Sequence, residues 1–197
     1  MQTEIESIKS IDDQVNALQL EIEGLKKKLS GLRKTRPLEP VKDYQLTTGE
    51  GAPVRLSELF GDKSDLLLVH NMGQNCPYCT LWADGFNGSV DHLENRAAFV
   101  VVSPDTPEQQ KKFSDLRGWK FKMASVHGTS LPVDLGFELE PGTYYPGVSA
   151  LYKDPERKIF RTGKAFFGPG DDFCAVWPLI DLLKEGENGW EPKYRYQ

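Results

Sequence analysis

Cysteine, histidine and methionine are all scarce in this sequence, at three residues each in 197. Three cysteines, two of them separated by only two residues, cannot make the disulfide framework of a small secreted domain. Histidines at 70, 92 and 127 are too scattered to complete a zinc site with the close cysteine pair, which would need two further ligands. No apolar run approaches the roughly 20 residues of a membrane span. No sign of charge dominates either: 24 Lys and Arg stand against 29 Asp and Glu, for a formal net charge of −5. That balance gives no electrostatic case for nucleic acid or an anionic membrane as partner. The opening MQTEIESIKSIDDQVNALQL mixes acids into its apolar positions, unlike a signal or transit peptide, so the expected location is the cytoplasm.

What the sequence does have begins with a strong periodicity. Apolar residues fall at Ile8, Ile11, Val15, Leu18, Ile22, Leu25, Leu29 and Leu32, with spacings alternating three and four. The pattern predicts a helix about 37 Å long at 1.5 Å per residue over those positions, ended by Pro37 and Pro40. A seam this narrow suits a helix pair, so residues 1–36 are expected to form a helical arm that makes a homo-oligomer. Charges beside the seam lean towards an antiparallel pair, in which Asp12 meets Arg33 and Glu21 meets Lys28 of the second copy, over a parallel one that opposes Lys28 to Arg33. The competing reading folds the helix back on its own domain.

Residues 37–197 change character, to short apolar runs separated by turn residues. Asp43–Leu46 and Val54–Leu56 read as a hairpin around Gly49 and Gly51, followed by a short helical turn from Ser57 to Phe60. Leu66–His70 and Ala97–Val102 are continuous apolar runs, as in strands buried on both faces. A helix carrying Trp82, Phe86, Val90 and Leu93 joins them into a right-handed βαβ unit. Thr106-Pro107-Glu108 has the form of a helix start. Strands are predicted over 121–126, 147–152 and 158–167, and a last helix from Asp171 or Asp172 to about Lys184. The fold class is α/β, a mixed sheet with helices on both sides.

The chemistry centres on Cys76-Pro77-Tyr78-Cys79, which follows a buried strand and opens a helix. At that position Cys76 would face unpaired N–H groups and the positive end of the helix dipole, both of which favour thiolate. Pro77 fits the first turn, where its missing N–H costs nothing. Cys79, one turn on, is placed to attack a mixed disulfide on Cys76. Cys76 is thus the expected nucleophile and Cys79 the resolving thiol.

These features resemble the thioredoxin superfamily, and the CPYC tetrapeptide is identical to that of many glutaredoxins. The hairpin and turn of residues 43–60 resemble the N-terminal layout of peroxiredoxins. More closely, Cys76–Gly88 (CPYCTLWADGFNG) and Phe167–Trp177 (FGPGDDFCAVW) resemble the domain-of-unknown-function 899 family, thioredoxin-like bacterial proteins. The resemblance implies a thioredoxin-like fold of peroxiredoxin type behind a long N-terminal helix, and thiol–disulfide oxidoreductase activity on a disulfide-bearing protein or small thiol. It implies a cis-proline at Pro146, where an ordinary strand-start proline is the other reading. It also implies a proton relay at His70, where thioredoxins hold a buried carboxylate and a hydrogen-bonded core histidine fits equally well. Asp84 is a weaker proton partner, and Cys174 a third thiol that more commonly stays buried and inert. Gly170, Asp171 and Asp172 correspond to a loop that holds glutathione in glutaredoxins, though a plain turn explains them as well. A thiol peroxidase is the alternative activity, but Gly73 stands where peroxiredoxins keep a threonine before the reacting cysteine. A non-enzymatic interaction protein, assembled through its N-terminal helix, is the other alternative.

Overall fold

A computed structural model describes residues 2–196, and the chain divides into two units, one ending at Pro37 and one beginning at Leu38. The first unit is the helix α1, Gln2–Lys34. Arg33 and Lys34 in its last turn complement the negative end of the dipole. Thr35 closes it by donating its hydroxyl to the Leu32 carbonyl. All eight seam residues are exposed in the single chain, between 46% and 69%.

The second unit is built on an eight-stranded sheet. Its strands are β1 (Glu39–Val41), β2 (Gln45–Thr48), β3 (Pro53–Arg55), β4 (Asp65–His70), β5 (Ala98–Ser103), β6 (Lys122–Ser125), β9 (Gly147–Lys153) and β10 (Ile159–Phe166). They lie in the order β1-β10-β9-β4-β5-β6-β2-β3. The central pairs β4–β5 and β5–β6 are parallel, and the flanking pairs are antiparallel. Both edge strands contain proline, Pro40 and Pro53, which blunts an edge against further pairing. A small ribbon, β7 (Glu138–Glu140) and β8 (Thr143–Tyr144), stands apart from the sheet.

Alternation along the central strands sorts their side chains onto two cores. Leu66, Leu68, Val100 and Val102 pack on one face with Leu56 and Phe60, and with residues around α4 (Leu131–Asp134). Leu67, Val69, Phe99 and Val101 pack on the other face against α2 (Pro77–Arg96). Helix α3 (Pro107–Arg117) starts on a capping box: Thr106 Oγ1 accepts from the Gln109 amide, and Gln109 Oε1 accepts from the Thr106 amide. It ends at Gly118 in the left-handed conformation.

The last helix departs from the sequence expectation. Helix α5 covers only Val176–Asp181, and the reason is Pro178. A proline has no N–H for an i−4 bond and is tolerated only near a helix start, so the ladder cannot run through from Asp171. Leu179 and Leu183 are exposed. Pairing of β1 with β10 was also absent from the sequence reading. Arg161, 5% exposed, explains it: its guanidinium grips both carboxylate oxygens of Glu39 at 3.1 and 2.6 Å and donates to the Leu135 carbonyl.

Candidate functional site: a cysteine pair at a helix start

The strand β4 ends at His70, and five residues of loop separate it from Cys76. That loop is held by the end of the neighbouring strand. The Asn71 amide donates to the Val102 carbonyl, and Asn71 Oδ1 accepts from the Gly73 amide at 2.8 Å. Asp105 Oδ2 accepts both the Gln74 amide at 3.0 Å and the Ser103 hydroxyl at 2.9 Å. Gly73 has φ of +106°, and a Cβ there would lie 2.9 Å from the Asp105 carboxylate, so only glycine suits both the backbone and the space. Asp105 carried no signal in the sequence, because the partner that ties it to the cysteine loop, Gln74, lies 31 residues upstream.

Cys76 is the N-cap of α2, with Pro77 in the first turn. Its sulfur accepts the Cys79 amide at 3.0 Å. Cys79 Sγ in turn accepts the Met72 amide at 3.4 Å. Both cysteines are free thiols and buried. Their proton affinities are pushed in opposite directions. The hydrogen bond from the Cys79 thiol lowers the Cys76 pKa most, and the backbone amides of Cys79 and Tyr78 add to it against the opposing effect of burial. The Cys79 thiol is raised, first by its bond to Cys76, then by burial and by the negative charge on Cys76. The arrangement favours the thiolate on Cys76, nearer the helix end, over one on Cys79.

His70 does not join them. Alternation in β4 sends Val69 towards α2 and the His70 ring to the opposite face, where it stacks on Phe137 at 3.7 Å. Its Nε2 lies 3.0 Å from Ser149 Oγ. Burial, followed by the positive charges of Arg161 and Lys164, pulls its pKa down to about 3. His70 also borders the small cleft beside Cys79. The ring is neutral near pH 7, however, and its partners are Phe137 and Ser149 rather than a cysteine. These contacts fit a hydrogen-bonded core histidine better than a proton relay. Parity along the strand was the signal that would have shown this.

Pro146 borders a small cleft that Cys79, His70, Asn71, Trp82 and Phe167 also line, beside the expected resolving thiol. The expected cis bond is absent: among the described residues every peptide bond is trans. The trans form is the intrinsically favoured one. Here it lets Tyr145 donate to the Phe137 carbonyl at 2.8 Å while the Pro146 carbonyl accepts the Phe167 amide at 2.9 Å. That carbonyl is therefore already engaged. Gly147 follows because the backbone is crowded: a Cβ there would meet the Ala165 carbonyl at 2.3 Å and Phe137 at 2.5 Å.

The segment Gly168–Asp172 is a tight turn. Asp171 accepts the Gly168 amide at 3.0 Å, the Phe173 amide at 2.9 Å and the Trp82 indole N–H at 3.4 Å. Gly170, Asp171 and Asp172 line one end of a cleft of about 830 Å³ that continues past Phe86, Leu93, Cys174 and Trp177. Cys174 is buried there, before α5 rather than within it, and burial raises its pKa. It is thus the opposite of Cys76, a thiol held in its protonated form.

Asp84 keeps part of its carboxylate exposed to solvent and is engaged by an ion pair and an indole. It pairs with Arg117 and accepts the Trp119 indole N–H at 2.8 Å. Arg117 also donates to the Tyr194 carbonyl at 2.8 Å, and Tyr194 meets Phe113 edge-on. Trp190 packs on Trp177. The C-terminal residues thereby run close to the start of α2. Burial first, then the charges of Glu191, Glu187 and Cys76, raise the Tyr78 phenol, and burial followed by Cys76 and Cys79 raises that of Tyr194. This cover was illegible in the sequence, where Lys193–Tyr196 carries no periodicity.

Among the described residues no third metal-ligating side chain joins the cysteine pair, and no helix is long and apolar enough to cross a membrane. Comparison with solved structures gives peroxidoxin BcpB of Mycobacterium tuberculosis at 26% identity and TM-score 0.51, over 62% of this chain and 80% of that one. A peroxiredoxin-like protein from Aquifex aeolicus matches at 18% identity and TM-score 0.53, over 68% and 77%. A comparison with curated protein sequences finds no match. The model of the DUF899 family, described as bacterial protein of unknown function, matches residues 12–196. With a thioredoxin/peroxiredoxin-like fold and a close cysteine pair consistent with redox chemistry, the chain belongs to the DUF899 family.

Proposed function

We propose that the protein is a thiol–disulfide oxidoreductase acting through Cys76 and Cys79. The observation that carries this reading is the Cys79 amide on Cys76 Sγ at 3.0 Å at the start of α2, with the two thiols shifted in opposite directions. Cys76 thiolate attacks one sulfur of a substrate disulfide, forming a mixed disulfide and releasing the other sulfur as a thiolate that takes up a proton. Cys79 then loses its proton and attacks Cys76 Sγ. The second substrate thiolate leaves and is protonated, and the enzyme holds a Cys76–Cys79 disulfide. Two electrons pass from the dithiol to the substrate. A small thiol such as glutathione, or a protein dithiol, would return them, which suits a reducing compartment such as the cytoplasm. If a small thiol uses the turn at Gly168–Asp172, Asp171 is a poor anchor, because both its oxygens already accept hydrogen bonds.

A thiol peroxidase would use the same Cys76 thiolate, and the likeness to a peroxidoxin favours giving it an arm in the test. The glycine at position 73 argues against it. The experiment is trapping. With Cys79→Ser, oxidised glutathione should leave a stable glutathione adduct on Cys76, identified by peptide mass. Cys76→Ser should leave none at the site. Adducts on Cys174 alone, or none on either variant, would contradict the proposal. Rapid sulfenic acid formation by peroxide, with no adduct from disulfides, would favour the peroxidase.

A further inference from the structure

The eight seam residues of α1 form an uninterrupted apolar stripe, and each is at least 46% exposed in the single chain. Apolar residues alternating at three and four over a helix this long are what a second helix packs against, and the charges beside the stripe say which helix. The two halves of α1 carry opposite sign. Glu6, Asp12 and Asp13 outnumber Lys9 in the first half, whereas Lys26, Lys27, Lys28, Arg33 and Lys34 outnumber Glu21 and Glu23 in the second. Two copies side by side in parallel would set acidic on acidic and basic on basic. Two copies in opposite directions set each acidic half on the other's basic half.

We propose that α1 pairs antiparallel with α1 of a second copy of this chain, centred between Leu18 and Ile22. In that register each apolar residue of one helix faces one of the other, so that Ile8 lies opposite Leu32, Ile11 opposite Leu29, Val15 opposite Leu25 and Leu18 opposite Ile22. The flanking positions then bring Asp12 against Arg33 of the other copy, twice by symmetry. The remaining flanking pairs are Gln19 with Lys26, Gln14 with Glu21 and Ser7 with Lys28, none of which opposes like charges, so the expected match of Glu21 with Lys28 does not form in this register. The parallel register gains Glu21 against Lys26 twice but opposes Lys28 to Arg33 twice, which cancels the gain. A seam without a single polar interruption also leaves no buried group to enforce the parallel register. The antiparallel pair is isologous, with the same surface used by both copies, so it closes at two.

The test uses the full chain and its association constant by sedimentation equilibrium. The wild type should form a dimer that dissociates on dilution, and Leu18→Asp should be monomeric. Circular dichroism and tryptophan fluorescence on Leu18→Asp should show that the sheet domain stays folded. Arg33→Glu should weaken the dimer about tenfold or more, since two attractive pairs become repulsive. Asp12→Lys combined with Arg33→Glu should restore most of the lost affinity. Tighter association of Arg33→Glu alone would overturn the proposal in favour of a parallel pair, in which that change relieves the clash with Lys28. A wild type monomeric at all concentrations, or assembled beyond two copies, would overturn it as well.

Discussion

In α1, Leu25 lies on a regular apolar seam and is 55% exposed, whereas Leu68 in β4 lies on a regular apolar strand and is fully buried. Both positions are periodic and both are leucine. The difference is that β4 is flanked by neighbours within its own chain, β5 on one side and β9 on the other, while α1 belongs to a unit that contains no second element. Periodicity states that a face will be buried; whether the same chain does the burying depends on what else is present to pack on it. The sheet domain completes its own two cores. The arm does not complete its own.

This contrast can be broken by paired substitution. Leu68→Ala removes a fully buried side chain and should destabilise the domain by about 2–5 kcal/mol. Leu25→Ala should leave domain stability within about 0.5 kcal/mol, the range of surface changes, while weakening association. Urea denaturation followed by tryptophan emission separates the two, because all four tryptophans lie beyond residue 38. Equal loss of domain stability in both variants would show that the arm is part of the domain's core.

A smaller effect sharpens the contrast within the domain. The folded pKa of His70 is pulled down to about 3, below the roughly 6.5 expected for the unfolded chain. Between those values the unfolded state binds one more proton, so stability rises with pH. The contribution of His70 is intact above pH ~6.5 and is lost as pH falls towards 3, by up to about 1.4 kcal/mol per pH unit. His70→Gln, which keeps a hydrogen-bonding group for Ser149, should flatten the dependence between pH 6.5 and 4.5. Identical slopes in wild type and variant would mean that His70 is protonated in the folded protein.

Much of the scaffold was legible because it rests on local rules. The turn of Pro37 marks the end of α1, and a proline after a cap marks α2 and α3. The unbroken apolar runs mark β4 and β5. The cysteine pair was legible for the same reason, since an N-cap position and a first-turn proline are properties of neighbouring residues. What failed depended on partners far along the chain. The joining of β1 to β10 rests on Glu39 and Arg161, 122 residues apart, and the tail reaches α3 through Arg117 and Tyr194, 77 apart. Two features had local signals: Pro178 limits α5, and the strand parity of Val69 and His70 favours the core-histidine reading of residue 70. Pro146 was placed in the right neighbourhood beside Cys79 but with the wrong isomer, because family resemblance specifies a position more securely than the hydrogen bonds that surround it.

The central claim is that Cys76 and Cys79 form a working dithiol, and the most direct measurement is a redox titration of the full chain against mixtures of reduced and oxidised glutathione, read by thiol alkylation. A working dithiol gives a single two-electron transition between dithiol and intramolecular disulfide, present in the wild type and in Cys174→Ser and absent in Cys76→Ser. A wild type with both thiols reduced across the whole series, or a transition that survives Cys76→Ser, would contradict it.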